Sequence, residues 1–388
     1  NTTHGLGAIF PAMVNAFEAY LILGTDPDDP RLRQARQALK DLVVREAEEA
    51  WCQPCVSPVW DTALAALALA ETGNGADLAA AKRGLEWLRP RQLLDFQGDW
   101  SETRPELRGG GWPFQYENPH YPDLDDTAVV AYAMRKIDPE NFRESIDRAV
   151  EWLQGMQSEN GGFASFEIDN TRDYLNEIPF ADHGALLDPP TADVSARCAM
   201  LFGSLGKNRR IDPETFEGVM RFLREEQEAD GSWFGRWGTN HIYGTWSVLL
   251  ACDECPEMGS DAIRRAVQWL KKHQREDGGW GASNNSYAFP DWRGRAPRST
   301  AFQTAWAVIA LLAAGEGGAP ETRRGVDFLL RKQGEDGTWH DPEFTCPGFP
   351  RVFYLKYHGY DDFFPLWALA RYRREVTHPI QTGERASA

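Results

Sequence analysis

Asp123, Asp125 and Asp126 place three carboxylates within four residues, directly before the apolar run Ala128-Val129-Val130-Ala131-Tyr132-Ala133-Met134. Like charges so close cannot all ionise freely, so one of these carboxyl groups holds a proton near neutral pH. A protonated carboxylic acid at the mouth of an apolar helix is a candidate proton donor. Two other uses compete with that reading. Asp and Thr cap helix N-termini, accepting backbone N–H bonds and complementing the dipole; capping accounts for one Asp well and a second passably, and leaves a third without structural work. An acidic motif that binds magnesium and a diphosphate needs carboxylates a helical turn apart, whereas these three bunch in the lead-in to the helix. The spacing favours acid chemistry over metal chemistry.

The elements that position such an acid are announced by a phrase that recurs five times. A helix ends in an aromatic residue and Leu, a Gln follows, and a Gly-bearing turn closes on an aromatic. The copies are Trp269-Leu270…Gln274…Gly278-Gly279-Trp280, Phe328-Leu329…Gln333…Gly337-Thr338-Trp339, Phe222-Leu223…Gln227…Gly231-Ser232-Trp233, Trp152-Leu153…Gln157…Gly161-Gly162-Phe163 and Trp87-Leu88…Gln92…Gly98-Asp99-Trp100. Helices before these turns are amphipathic, with Ala266, Val267 and Leu270 set against Arg264, Lys271 and Lys272. Those after them are apolar on nearly every face: Thr62 to Ala70, Thr127 to Met134, Val194 to Leu205, Tyr243 to Cys252, Thr304 to Ala314 and Phe364 to Tyr372. A helix apolar all round must be buried, so the alternation predicts two layers and an all-α fold, a closed α/α barrel of six inner helices. Only five outer helices match those six. The first fifty or so residues carry an apolar helix, Pro11 to Leu23, and an amphipathic one, Leu32 to Glu48, and read as the end of a second helical unit. With no initiator Met, the expectation is a portion of a longer protein.

Composition limits the partners. A length of 388 residues supports two modest domains or one large helical one. The net charge of −17, with no basic stripe, argues against nucleic acid. No apolar run is long enough to span a bilayer; Ala305 to Leu312 is typical. Six cysteines include the pairs Cys52/Cys55 and Cys252/Cys255. They lie far apart in sequence, and Cys252 ends an apolar helix where a small buried thiol is ordinary, so structural zinc is not expected. Free thiols fit a reducing compartment.

Taken together, Asp123-Leu124-Asp125-Asp126-Thr127-Ala128, the preceding Gly110-Gly111-Trp112-Pro113-Phe114-Gln115 and the repeats resemble the squalene-hopene cyclases among the class II triterpene cyclases, from about Leu6 to about Arg374. The repeats are similar to that family's QW motifs. The resemblance implies two α/α barrels, here divided as the end of the second barrel (1–56), the catalytic barrel (57–375) and a polar C-terminal tail (376–388), with the sixth outer helix supplied by the start of the full chain. It implies proton-initiated polycyclisation of squalene to hopene- or hopanol-type products without cofactor or metal, squalene as partner, a peripheral place on the cytoplasmic side of a bacterial inner membrane, and room for a homodimer.

Residue by residue, Asp125 matches the family's proton donor and Asp123 and Asp126 the flanking pair that shares its charge. Asp193 and Arg197 match a further polar pair; Arg197 stands where the best-known member has His. An alkene is a very weak base, so the conjugate base must be stabilised as the proton leaves, and a permanently charged Arg does this. A buried counter-ion for Asp193 is the bland reading of Arg197. Trp60, Phe114, Phe166, Trp237, Tyr243, Phe349, Phe353, Tyr357 and Tyr360 match aromatics lining the family's cavity, whose faces stabilise carbocations without attacking them. The repeat-closing Trp100, Trp233, Trp280 and Trp339 match the outer motifs that tie helices together. Phe180 and Ala181 fall in the loop matching the neck of the substrate channel. Phe166 replaces a Tyr, and Phe10-Pro11 replaces a Gln-Pro pair that helps to position water. Three alternatives remain: a class II diterpene cyclase, which needs basic residues poised for a diphosphate; an α/α-barrel glycosidase, disfavoured because adjacent acids cannot flank a sugar bond from both sides; and a folded, inert fragment.

Overall fold

The computed structural model describes residues 8–170, 172–178, 186–206 and 211–377. In chain order the helices are α1 (Phe10–Ile22), α2 (Pro30–Asp41), α3 (Pro58–Glu71), α4 (Gly75–Leu88), α5 (Leu124–Ile137), α6 (Arg143–Gly155), α7 (Ala192–Ser204), α8 (Pro213–Glu225), α9 (His241–Ala251), α10 (Ser260–Lys272), α11 (Ala301–Ala313), α12 (Pro320–Lys332) and α13 (Tyr360–Thr377). Three two-stranded antiparallel hairpins accompany them: β1 (Val43–Arg45) with β2 (Ala50–Cys52), β3 (Trp112–Pro113) with β4 (Pro122–Asp123), and β5 (Cys346–Phe349) with β6 (Phe353–Leu355).

Six helices form the inner ring. Helix α3 packs on α5, α5 on α7, α7 on α9, α9 on α11, α11 on α13, and α13 returns to α3. The apolar pattern dictates this: all of α11 is buried, from Ala301 to Ala313. Helices α4, α6, α8, α10 and α12 lie outside the ring, and α10 turns Ala266, Val267, Trp269 and Leu270 inward while its basic last turn stays on the outer side. The expected all-α, α/α-barrel architecture is therefore what the chain adopts.

The inner helices begin earlier than the apolar runs predict. Helix α3 starts at Pro58 rather than Thr62, with Pro in its first turn as favoured there, and α5 starts at Leu124 rather than Thr127. The extra turns are polar, holding Asp61 in α3, Asp125 and Asp126 in α5, and Asp193 in α7. Hydrophobic periodicity cannot see them, yet they carry the chemistry. Before the barrel, α1 and α2 pack on each other. The helix expected to run to Glu48 stops at Asp41; Val43 and Val44, β-branched and poor helix formers, begin the hairpin instead.

The repeats work through their glutamines. Gln157 donates to Gly161 O of its own turn and to Thr215 O of the next outer helix, both at 2.8 Å. Gln227 does the same to Gly231 O and Ala262 O, both at 2.9 Å, and Gln274 to Gly278 O and Glu321 O at 2.8 and 2.7 Å. Each turn needs a left-handed residue, and Gly161, Gly231, Gly278 and Gly337 have φ of 89°, 97°, 89° and 86°. The closing indoles donate back to the helix end: Trp233 to Leu223 O, Trp280 to Leu270 O and Trp339 to Leu329 O. In the first repeat that bond comes from Trp112, to Leu88 O at 2.8 Å, and Gln92 donates to Gly110 O. The closing residue is thus Trp112 and not Trp100, which packs edge-on against Trp152 at 6.0 Å. An insertion between Gln92 and Gly110 hid the true turn behind a false one.

Gln333 differs, being exposed and donating to its own turn at Gly337 O. Gln274→Ala should therefore cost about 2 kcal/mol of unfolding free energy in urea, because two carbonyls lose a half-buried donor, whereas Gln333→Ala should cost less than about 0.5 kcal/mol. Equal losses would contradict this account of the repeats.

Candidate active site

Asp125 and Asp126 sit on the first turn of α5, not ahead of it, with Asp123 just before them. Asp123 is the N-cap, with extended backbone, and its Oδ1 accepts N–H bonds from Asp125 at 2.7 Å and Asp126 at 3.3 Å. Thr127 Oγ1 donates to Asp123 O at 2.6 Å and accepts from Trp112 N–H at 2.9 Å, so the closing Trp of the first repeat pins the acidic turn. Capping occupies one oxygen of one Asp. Asp125 Oδ1 and Asp126 Oδ1 are buried with no hydrogen-bond partner among the described residues.

That leaves carboxylic acids in an apolar wall. Burial pushes Asp125 up to about 7, with Asp193 adding to the rise and the Arg197 guanidinium opposing it. Burial also raises Asp123 and Asp126 well above the usual carboxylate range, with the Asp125 charge adding to Asp123 and the Asp123 charge to Asp126. The site therefore holds protons at neutral pH.

Arg197, one turn along α7 from Asp193, brings Nε to 3.5 Å from Asp125 Oδ1. It donates from Nη2 to Tyr243 Oη at 3.0 Å, and its guanidinium lies among the rings of Trp60, Tyr243 and Trp246. Asp193 is engaged elsewhere. Its Oδ2 accepts the backbone N–H groups of Arg236 and Trp237, both at 2.9 Å, and its Oδ1 accepts from Thr191 Oγ1 at 2.6 Å. Asp193 thus anchors the loop bearing Trp237 and stands behind the wall of the cavity. A half-buried carboxylate, Asp188, does the same for Phe166, accepting its N–H at 2.7 Å.

In front of the acid lies a cavity of about 380 Å³, within the usual range for small-molecule sites. Asp123, Asp125 and Asp126 line it with Trp60, Phe114, Phe166, Trp237, Tyr243, Phe349, Tyr357 and Tyr360. The aromatics brace one another: Trp60 Nε1 donates to Tyr360 Oη at 2.7 Å, and Phe166 meets Trp237 edge-on at 6.3 Å. Phe353 is not brought to the cavity. It lies near the tip of the β5–β6 hairpin, packed on Phe349 and occupying the space a Cβ at Gly348 would need. Phe180 and Ala181 fall outside the described residues. Sequence reasoning missed Ile9, Ala12, Cys55, Gln115, Asn118, Tyr121 and Leu355, which also line the cavity. Gln115, Asn118 and Tyr121 lie between the Gly110-Gly111-Trp112 turn and the triplet, a position that could have flagged them; Ile9 and Cys55 come from outside the barrel and left no such trace. Phe10 itself is exposed.

Chemically, the arrangement offers a protonated acid with a cation behind it and π faces opposite it. The cavity lining includes no Lys or Arg among the described residues.

Residues 56–374 match the family model of the squalene-hopene cyclase C-terminal domain, and residues 1–48 that of the squalene-hopene cyclase N-terminal domain. The chain is 52% identical over 380 residues to a probable squalene–hopene cyclase of Sinorhizobium fredii, covering 96% of this chain and 58% of that protein. It is 51% identical to the squalene–hopene cyclase of Bradyrhizobium diazoefficiens over 96% of this chain and 57% of that protein. The chain thus spans somewhat under three fifths of the length of these relatives. Among solved structures, the type II terpene cyclase MstE from Scytonema aligns with a TM-score of 0.58 at 18% identity, covering 95% of this chain and 99% of that one, which is a likeness of fold.

The buried acids carry a stability signature. A carboxyl raised from 3.8 to about 7 binds its proton more tightly folded than unfolded, so stability falls as pH rises between those values. Asp125→Asn, neutral at every pH, should be more stable than the parent by about 1–3 kcal/mol near pH 8, and the gap should close near pH 4, as read by urea unfolding at both pH values. A variant less stable at both would refute a buried, strained acid.

Proposed function

Since the chain belongs to the squalene-hopene cyclase family, we propose that it carries the acid of a proton-initiated polycyclisation of squalene, with Asp125 as general acid. The observation that carries this reading is a carboxylic acid titrating at about 7 on the wall of an aromatic cavity, with Arg197 at 3.5 Å on its far side. The terminal alkene takes the Asp125 proton with its π electrons, leaving a tertiary carbocation and the Asp125 carboxylate. Arg197, charged throughout, stabilises that carboxylate as it forms, which is what makes the acid strong enough for so weak a base. Each further alkene attacks the cation before it, and the lining faces of Trp60, Phe166, Trp237, Phe349 and Tyr357 stabilise the migrating charge without forming bonds. Loss of a proton from the last cation to water gives a hopene-type alkene; capture of water, with loss of a proton from the resulting oxonium to a second water, gives a hopanol-type alcohol. A proton taken up from solvent, relayed through Asp123 or Asp126, restores Asp125 to its acid form for the next turnover, and Asp193 acts as a positioning residue through the Trp237 loop.

The lack of Lys and Arg from the described lining supports a hydrocarbon over a prenyl diphosphate. The same apolar substrate supports a peripheral location at a membrane surface, and no helix of the described residues is long and apolar enough to cross one; failure to co-sediment with lipid vesicles would count against the location.

The assay is incubation with squalene in detergent and product analysis by gas chromatography and mass spectrometry. It should be run on the 388-residue chain and on the chain joined behind the N-terminal portion that its relatives carry. A hopene-type product is expected, reduced at least about a thousandfold in Asp125→Asn. No cyclised product from either length would defeat the proposal, as would turnover of a prenyl diphosphate in its place.

A further inference from the structure

Arg197 is buried, and no carboxylate among the described residues is hydrogen-bonded to it. Its approach to Asp125, at 3.5 Å, is an ion pair beyond the usual hydrogen-bond length, and its Nη1 finds no acceptor among the described residues. The charged and titratable groups around it include Asp125 on α5, Asp193 and the Cys198 thiol on α7, and the phenols of Tyr243 on α9 and Tyr360 on α13. Asp193 has both oxygens committed to other donors, and Tyr243 supplies one bond. Ring faces must therefore do much of the holding. The nearest is Trp246, whose centroid lies 4.6 Å from the guanidinium carbon, against 5.4 Å for Tyr243 and 5.7 Å for Trp60. Indole is the strongest cation–π partner, and desolvation strengthens it.

Trp246 is itself fixed. It is fully buried on α9, stacks on Trp306 at 5.8 Å and 16°, and takes Phe364 edge-on at 5.2 Å. Its Nε1 has no acceptor among the described residues, although a buried indole N–H usually finds one. The ring is kept for its face rather than its polar handle. It is not among the described residues that line the cavity, so its reach to the acid runs through Arg197.

We propose that Trp246 is a positioning residue, a rigid indole plate that holds the Arg197 guanidinium against Asp125 and so sets the strength of the acid. This rests on the reading of Asp125 as general acid. With the plate removed, Arg197 swings off, the Asp125 carboxylate loses its partner, and the acid weakens.

Two readouts test it. In steady-state cyclisation, Trp246→Phe should lower kcat about threefold and Trp246→Leu on the order of tenfold or more, with KM unchanged. In both, the pH at which rate falls as Asp125 ionises should move upward, more in Leu than in Phe. In the Arg197→Leu background the Trp246 changes should have no further effect, a non-additivity that plain core packing would not produce. The second readout needs no turnover: the pH dependence of urea stability, taken relative to the matching Asp125→Asn proteins, reports the Asp125 midpoint directly. An upward shift there with no cyclisation by any form would support the plate while defeating the proposed reaction. An unmoved midpoint, or losses additive with Arg197→Leu, would overturn the inference. Should Trp246→Leu fail to fold, the midpoint of Trp246→Phe decides it by the same criterion.

Discussion

Everything in this barrel serves to keep a carboxylic acid out of water. In solvent Asp125 would be ionised at neutral pH and inert toward an alkene; against an apolar wall it titrates at about 7. Burial alone, however, makes a weak acid, because it penalises the carboxylate that must form. Arg197 resolves the conflict, since a charge at 3.5 Å favours that carboxylate. The two opposed effects yield an acid that both retains its proton and releases it.

The same constraint explains the other carboxylates set into this region. Asp123 caps α5, Asp193 holds the Trp237 loop and Asp188 holds the Phe166 loop, each through backbone N–H groups. Backbone donors satisfy an anion without bringing water or a competing cation into the cavity. The Trp237 loop is thereby fixed to the start of α7 and the Phe166 loop to the segment just before it, and the repeat glutamines fix the outer layer around them. Rigidity of the outer shell becomes geometry at the acid.

Much of this was legible in the sequence. Period and composition gave the two-layer barrel, because helices apolar on every face have nowhere to go but inside. The acidic triplet and Arg197 were visible as residues, and the cavity aromatics through their resemblance to a known family. What failed had physical reasons. Polar first turns of the inner helices are invisible to hydrophobic periodicity, so Asp125 and Asp126 were read as lying before α5. A long insertion displaced the first repeat's turn and made Trp100 stand in for Trp112. Val43 and Val44 continued a helical pattern that local β preference broke. Phe353 matched its family position, yet the hairpin turns its ring onto Phe349. Trp246 looked like any other core Trp, because its value lies in a contact with a side chain of the neighbouring helix α7, which no local pattern encodes.

The claim that the acid is protonated when substrate arrives is testable by infrared spectroscopy. A carboxylic C=O band, identified by its loss in Asp125→Asn, should be present at about pH 6 and disappear as pH rises through about 7. A protein in which Asp125 is already ionised at about pH 6, with no such band, would contradict the account.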